Sequence, residues 1–138
     1  MDITQIPFNK FIEIAHSGAD GCAMELAFAD HLRNHLGTFH ASAQFALAEA
    51  CSGLALQRNF PQLADSVIPV LRKSDLKFKR PAQSNILAKA HLDPAIKEEF
   101  ELQLGKKGRA TIAVPVEIAD QDGNVTLTGT YEWYVQKM

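Results

Sequence analysis

One segment, residues 41–56, constrains the fold more than any other part of the chain. Its sequence, ASAQFALAEACSGLAL, is apolar on nearly every side of a helix, and Glu49 is its single ionisable side chain. A helix that is apolar almost all round has to be enclosed by other elements. The segment therefore predicts a central helix around which the rest of the chain is wrapped.

Glu49 stands out in such a helix. A carboxylate that is taken out of water either has its pKa raised or gains specific partners, and both outcomes are common at functional sites. The alternative is a structural acid paired with a buried amide or backbone N–H. On a wheel of about 100° per residue, one sector about 100° wide holds the acid together with small, polar and two large apolar side chains: Ser42, Phe45, Glu49, Ser52, Gly53 and Leu56. A substrate or a water molecule would reach Glu49 through this sector.

Composition narrows the class of protein. The 138 residues suit a single domain over residues 1–138, and no repeat, low-complexity tract or long linker divides them. Hydrophobic residues make up 46% and charged residues 22%, which is typical of a globular protein. A formal net charge of -2 argues against a nucleic-acid partner.

Cellular context follows from what the sequence lacks. The start, MDITQIPFNK, has no basic region followed by a long apolar segment, so we expect no secretory signal and a cytoplasmic location. The longest apolar stretch is interrupted and short for a bilayer, which predicts no membrane partner. Cys22 and Cys51 are expected to be reduced, buried thiols.

Period-two patterns predict strands on both sides of the helix. Residues 11–14 and 22–28, separated by a predicted turn at 17–21, form two short strands or one strand and an approach segment. Residues 31–38 are expected to form a loop. The helix should end near residues 58–61, because Pro61 disfavours helical geometry in the residue before it.

The second half is predicted to be rich in strands. A long strand covers residues 67–79, with Pro69 indicating an edge or a bulge, and another covers residues 84–92. A short helix between Asp93 as N-cap and Gly105 follows. Strands over 109–118 and 125–136 are joined by a hairpin loop at 120–124. The order predicts an α+β protein in which a curved antiparallel sheet wraps the helix.

The segment NHLGTFHAS, residues 34–42, continuing to Glu49, resembles the motif N-x-x-G-T-x-H-G-G-x(6)-[DE] of hotdog-fold acyl-CoA thioesterases. The spacing matches at Asn34, Gly37, Thr38, His40 and Glu49. Residues 78–82 are similar to the corner that follows the helix in these proteins. The resemblance covers most of the chain, is nearest to a poorly characterised branch regarded as thioesterases, and implies the hotdog fold.

The resemblance also implies an acyl-thioester hydrolase that acts on coenzyme A or carrier-protein esters and releases a carboxylic acid and a thiol. It implies no metal and no cofactor other than coenzyme A as part of the substrate. Glu49 would act as general base on water or as a nucleophile, and Asn34 would hold the water or the carboxylate. A backbone N–H near Ala41 or Ser42 would stabilise the oxyanion, while His40 would shape the loop rather than transfer protons.

Two departures from the family pattern bear on activity. Ala41 and Ser42 replace two glycines after the histidine, and Gly53 stands where some members place a hydroxyl group. A non-catalytic module that binds acyl-CoA is therefore an alternative. A dehydratase or hydratase of this fold is a further alternative, which the nine-residue gap from His40 to Glu49 disfavours.

Three basic residues, Arg80, Lys107 and Arg109, are candidates to bind the phosphates of coenzyme A, although a solvated sheet face would also explain them. The histidines at 31, 35 and 40 lack the other ligands of a metal site, so we expect no metal. A curved sheet has open edges, and the last strand carries aromatic residues that need cover. Hotdog proteins usually pair their sheets side by side, and the resemblance therefore implies a homodimer or a dimer of dimers with active sites between subunits.

Overall fold

The computed structural model describes residues 1–19 and 23–138. Cys22 and the Asp20–Gly21 part of the predicted turn therefore lie outside the described residues. Within these ranges the chain forms a long central helix, two shorter helices and one six-stranded antiparallel sheet. The elements are α1 (Pro7–Phe11), β1 (Ala15–His16), β2 (Met24–Leu26), α2 (Ala41–Asn59), β3 (Val67–Phe78), β4 (Ile86–Ala90), α3 (Pro94–Lys107), β5 (Arg109–Asp120) and β6 (Val125–Lys137).

The strands lie in the order β1-β2-β4-β5-β6-β3, and all neighbours pair antiparallel. Helix α2 packs against β2, β4, β5 and β6, so the sheet wraps it. Every second side chain of β5 is buried: Ala110, Ile112, Val114, Val116 and Ile118. The structure confirms the α+β prediction and the curved sheet around one long helix.

Helix α2 begins and ends where its sequence directs. His40 is the N-cap, and its Nδ1 accepts a hydrogen bond of 2.9 Å from the backbone N–H of Ser42. The helix stops at Asn59 because Pro61 disfavours helical geometry in Phe60, whose φ and ψ are -130° and 57°. This confirms the predicted end of the helix.

The strand β6 lies very close to β3 at Gly129. A Cβ atom on this residue would collide with the carbonyl oxygen of Asp75 and the side chain of Leu76 on β3. Only glycine leaves room for so close an approach of two strands. The strand β3 forms one edge of the sheet and contains Pro69. Its pairing with β6 shifts register between Leu71 and Lys73, so the predicted edge or bulge at Pro69 is confirmed.

Residues 11–14 do not form a strand, so of the two interpretations the one that makes this segment a strand is wrong and the approach segment is the one that fits. Pro7 starts the helix α1, which ends at Phe11, and β1 contains only Ala15 and His16. Proline at the first helical position is preorganised for a helix, and this effect prevails over the apparent alternation. The helical turn buries Asn9 and leaves Phe11 exposed.

The predicted ends of two other elements also need correction. Gly105 lies inside α3, and Gly108 closes the helix instead, with a φ of 71° and its N–H donating to the carbonyl of Leu104 at 2.9 Å. Asp93 occupies the N-cap position without a side-chain cap bond. The predicted loop at 31–38 overlaps a short 3-10 turn over Asp30–Leu32.

Candidate active site

Helix α2 has one half-buried seam. Phe45, Glu49, Gly53 and Gln57, each four residues apart, are half-buried, whereas most of the helix between them is buried. Residues four apart lie one above the other on a helix, so this line faces one direction. It coincides with the sector that the sequence predicts, with Glu49 at its middle.

The carboxylate of Glu49 has no hydrogen-bond or ion-pair partner among residues 1–19 and 23–138. Burial raises the pKa of this carboxyl. Tyr131 lies near it, but the tyrosine hydroxyl donates to the carbonyl of Phe45 at 2.8 Å. Burial, and then the charge of Glu49, raise the pKa of Tyr131, which keeps the phenol neutral. If Glu49 were only a structural acid, it would pair with a buried amide or a backbone N–H, and the described residues offer it no such partner.

Two cavities meet at Glu49. The first, which we name the helix-start cavity, has a volume of about 480 Å³ and lies between the first turns of α2, α1 and β3. Its lining residues are Phe8, Ala41, Ser42, Phe45, Ala46, Glu49, Leu71 and Phe78. Phe8 and Phe78 at its margin are 60% and 47% exposed. Ala41, Ser42 and Glu49, three of the predicted site residues, therefore share one cavity.

The second, the helix-end cavity, has a volume of about 710 Å³ and extends from Glu49 along the later turns of α2. Its walls include the N-terminal segment, with Ile3 and Asn9, and Phe100 and Trp133 from α3 and β6. Volumes of this order, with mostly apolar walls and few polar groups, are typical of sites for small organic ligands.

Ala41, at the start of α2, lines the helix-start cavity and carries a backbone donor that the described residues leave unused. The N–H of Ser42 donates to His40 Nδ1, and those of Ala43 and Gln44 donate to the His40 carbonyl at 2.9 and 3.2 Å. The N–H of Ala41 has no partner among the described residues. It points from the positive end of the helix dipole, where a developing negative charge is stabilised. Of the two predicted donors, Ala41 is thus the one with a free N–H.

Asn34 is held in its own loop. Its Nδ2 donates to Thr38 Oγ1 at 2.9 Å and to the Phe39 carbonyl at 3.3 Å. Its Oδ1 accepts from the backbone N–H groups of Leu36 and Thr38 at 2.9 and 3.1 Å. These four bonds build the turn that leads to the N-cap of α2. Within the described residues, neither cavity at Glu49 is lined by Asn34.

The three basic candidates lie at two ends of β5. Lys107 ends α3 and Arg109 starts β5. Asp120 ends the same strand, and Arg80 acts on it there. Loss of hydration alone would raise the pKa of Asp120, but hydrogen bonds from Asn124 and Asp122 and the charge of Arg80 lower it. A twelve-residue strand is on the order of 35 Å long. Arg80 therefore cannot share one phosphate with the other two. It follows Phe78 of the helix-start cavity by two residues.

Sequence reasoning missed two side chains of the site. The sequence patterns predict no element for the segment that contains Asn9. In the structure this residue is buried and lines the helix-end cavity. Trp133 was predicted only as one of the aromatic residues of the last strand that need cover, yet its Nε1 donates to Ser52 Oγ at 2.9 Å. Ser52 Oγ in turn donates to the carbonyl of Glu49 at 2.7 Å. The burial of Asn9 depends on how α1 packs in the fold, and no local sequence signal indicates it.

No group of three His, Cys, Asp or Glu side chains in the described part of the chain is arranged to hold a metal ion. His31, His35 and His40 are all exposed. None of the helices in residues 1–19 and 23–138 has the length and hydropathy needed to span a membrane.

Solved structures show the fold family. A Pseudomonas aeruginosa protein of unknown function, described as a "Probable Thioesterase", is 24% identical, with a TM-score of 0.81 over 99% of this chain and 91% of that chain. A Haemophilus influenzae thioesterase is 14% identical, with a TM-score of 0.72 over 98% and 86% of the two chains. A Bacillus halodurans protein crystallised with CoA is 20% identical, with a TM-score of 0.62 over 81% and 69%. The fold is therefore the hotdog fold, as the motif implied.

No curated protein matches the chain. A family model described as a domain of unknown function, DUF4442, matches residues 9–135, and the chain therefore belongs to this family.

Proposed function

We propose that the protein is an acyl-thioester hydrolase acting on coenzyme A or carrier-protein esters. The observation that carries the proposal is the unpartnered, half-buried carboxylate of Glu49 at the junction of two cavities. The reaction class is supported by the Haemophilus influenzae neighbour, which is named as a thioesterase. Coenzyme A as the thiol part of the substrate is supported by the Bacillus halodurans neighbour, which was crystallised with CoA.

In the proposed reaction the thioester carbonyl lies in the helix-start cavity. Glu49 takes a proton from a water molecule, which attacks the carbonyl carbon, and the N–H of Ala41 stabilises the oxyanion. Collapse of the tetrahedral intermediate breaks the C–S bond, and the proton on Glu49 passes to the leaving thiolate. In the nucleophilic route Glu49 attacks directly, forms an anhydride and is released by water. Both routes require the ionised carboxylate.

We propose a homodimer because Ala41 and Glu49 of the same subunit lie too far apart to act on one carbonyl group. Eight residues of helix place Ala41 and Glu49 about 12 Å apart along the axis, whereas the reacting carbonyl has to lie about 3 Å from both the donor and the attacking group. The N–H of Ala41 would therefore act with Glu49 of the partner subunit. The aromatic side chains of Phe8 and Phe78 at the cavity margin offer exposed apolar surface for such contact.

The edge strand β3 supports the same assembly. It is twelve residues long, and Ile68 and Val70 on it are each 53% exposed. A long edge with apolar side chains is a template for pairing with a second copy. Two β3 strands paired edge to edge would continue the sheet, in a homodimer or in each half of a dimer of dimers.

Arg80 is the preferred phosphate ligand of the three basic residues. It follows β3 beside the helix-start cavity, while Lys107 and Arg109 lie at the far end of β5. A guanidinium group binds phosphate with two parallel hydrogen bonds. We place the phosphates of coenzyme A at Arg80 and assign Asn34 to the loop that precedes the helix.

The test is thiol release from short, long and aromatic acyl-CoAs by the wild-type protein and its Glu49→Ala variant. We expect hydrolysis by the wild type and a loss of at least about 100-fold in the variant. Binding of acyl-CoA with no Glu49-dependent turnover would favour the non-catalytic module. Hydration of an enoyl-CoA would favour the hydratase alternative.

A further inference from the structure

Asn9 is the one buried polar side chain that shares the helix-end cavity with Glu49 in the described part of the chain. It is 4% exposed and lies on α1. The walls around it are apolar and include Ile3, Ile6 and Trp133. The other polar side chains of the lining, Gln57 and Asp65, are half-buried or exposed.

The amide of Asn9 is only partly used by the protein. Its Nδ2 donates to the carbonyl of Ile3 at 3.0 Å, which fixes the side chain. The second N–H of this amide and its Oδ1 have no partner among residues 1–19 and 23–138. Within the described residues, no side-chain nitrogen or oxygen that is fully shut off from solvent lacks a partner, so Oδ1 of Asn9 keeps some access to solvent, and Asn9 lines the helix-end cavity.

A buried amide with an open donor and an open acceptor is costly unless a ligand or water completes it. A hydroxyl group both donates and accepts, so it can pair with Oδ1 and with the second N–H. A plain alkyl chain would fill the apolar walls and leave the amide unpaired.

We propose that the acyl group held in the helix-end cavity carries a hydroxyl group, and that Asn9 recognises it. The inference rests on the proposed hydrolase function, because it places the scissile thioester at Glu49 and the rest of the acyl group beyond it. Asn9 is then a specificity-determining residue. The substrate class is hydroxyacyl thioesters.

The experiment compares octanoyl-CoA with a series of octanoyl-CoAs that carry one hydroxyl group at successive carbon atoms. We expect one position to raise kcat/KM about tenfold over octanoyl-CoA, as one additional neutral hydrogen bond allows. Asn9→Leu, which has a similar size, should abolish this gain, so that kcat/KM of the variant becomes equal for the hydroxylated and the plain substrate.

The matched control is Asn59→Leu. Asn59 also donates one side-chain hydrogen bond to a backbone carbonyl, that of Ala55 at 2.8 Å, but it lies outside the lining of the helix-end cavity. The control should keep the preference for the hydroxylated substrate. A preference that survives in Asn9→Leu, or a uniform loss for all substrates in that variant, would overturn the role of Asn9.

Binding measurements separate this inference from the proposed function. Nonhydrolysable thioether analogues of the same acyl-CoAs are titrated into the wild type and Asn9→Leu. Tighter binding of one hydroxylated analogue that is lost in Asn9→Leu supports the inference even if turnover fails. Equal binding of all analogues to the wild type refutes it whether or not the protein hydrolyses thioesters, and it does so even if Asn9→Leu does not fold.

Discussion

Ionisation of the Glu49 carboxyl costs the folded state free energy, because no charge or hydrogen bond from the described residues compensates for its lost hydration. A folded-state pKa above the unfolded value means that the folded protein binds this proton more tightly. The free energy of unfolding therefore falls as pH rises from the ordinary glutamate pKa of about 4.3 through the raised folded value. Stability and ionisation at this residue oppose each other.

Replacing Glu49 with Gln should reveal this opposition. The variant should melt a few degrees higher than wild type at pH 8, and the gain should vanish below pH about 4, where the wild-type acid is protonated in both states. Thermal unfolding followed by circular dichroism at several pH values measures the effect. Glu117→Gln is the control, because Glu117 pairs with Lys89 at 3.1 Å on the surface. A gain that is equal at pH 4 and pH 8 would contradict the account.

At the scale of the element, helix α2 combines an enclosed body with an open start. His40 satisfies the N–H groups of Ser42, Ala43 and Gln44 and leaves that of Ala41 open. The backbone N–H of the first helical residue is the one group that proline removes while still fitting a helix. His40 has φ -62° and ψ 138°, a geometry compatible with a following proline.

Ala41→Pro should therefore delete the oxyanion donor and keep the fold. We expect kcat to fall by about 100- to 1,000-fold, as for the loss of one such donor, with a melting temperature close to that of the wild type. Ala41→Ser retains the N–H and serves as the control. Steady-state thiol release with octanoyl-CoA is the measurement. Full activity of a folded Ala41→Pro variant would exclude this N–H as the donor.

The sequence was sufficient for the elements whose patterns are local. The apolar run of α2, the alternation in β5 and Pro69 at the sheet edge all have one physical interpretation. The apparent alternation at residues 11–14 did not indicate a strand. The helix that precedes it begins at Pro7 and has only five residues, which is too short for a helical period to be seen in the sequence. Thr126 lies between the apolar Val125 and Leu127, so strict alternation would place it on the outer face of the strand. A register shift in the pairing of β5 with β6 turns it inward, where Oγ1 donates to Gln44 Oε1 at 2.8 Å.

The candidate site was only partly predictable for a related reason. Glu49 follows from local sequence, because one acid interrupts an apolar helix. Asn9 and Trp133 reach the site through tertiary packing of distant segments, which no local pattern encodes. The bonds of Asn34 likewise depend on the loop geometry rather than on spacing.

At the scale of the whole molecule, the proposed active site joins groups from two copies of the chain. Mixing subunits tests it: Ala41→Pro and Glu49→Gln are coexpressed with different tags, and dimers of both kinds are allowed to form. If each site joins groups from two subunits, every mixed dimer contains one intact site, and random pairing restores about a quarter of wild-type activity. Sites that lie within one subunit would give no recovery.

The most direct measurement is the pH dependence of kcat/KM for octanoyl-CoA hydrolysis by the wild type and Glu49→Gln. We predict that the wild-type kcat/KM rises with pH through a midpoint above the ordinary glutamate pKa of about 4.3, because burial raises the pKa of the essential acid. The variant should show only a weak, flat residual rate. A variant as active as the wild type across this range would contradict the central claim that Glu49 carries the chemistry.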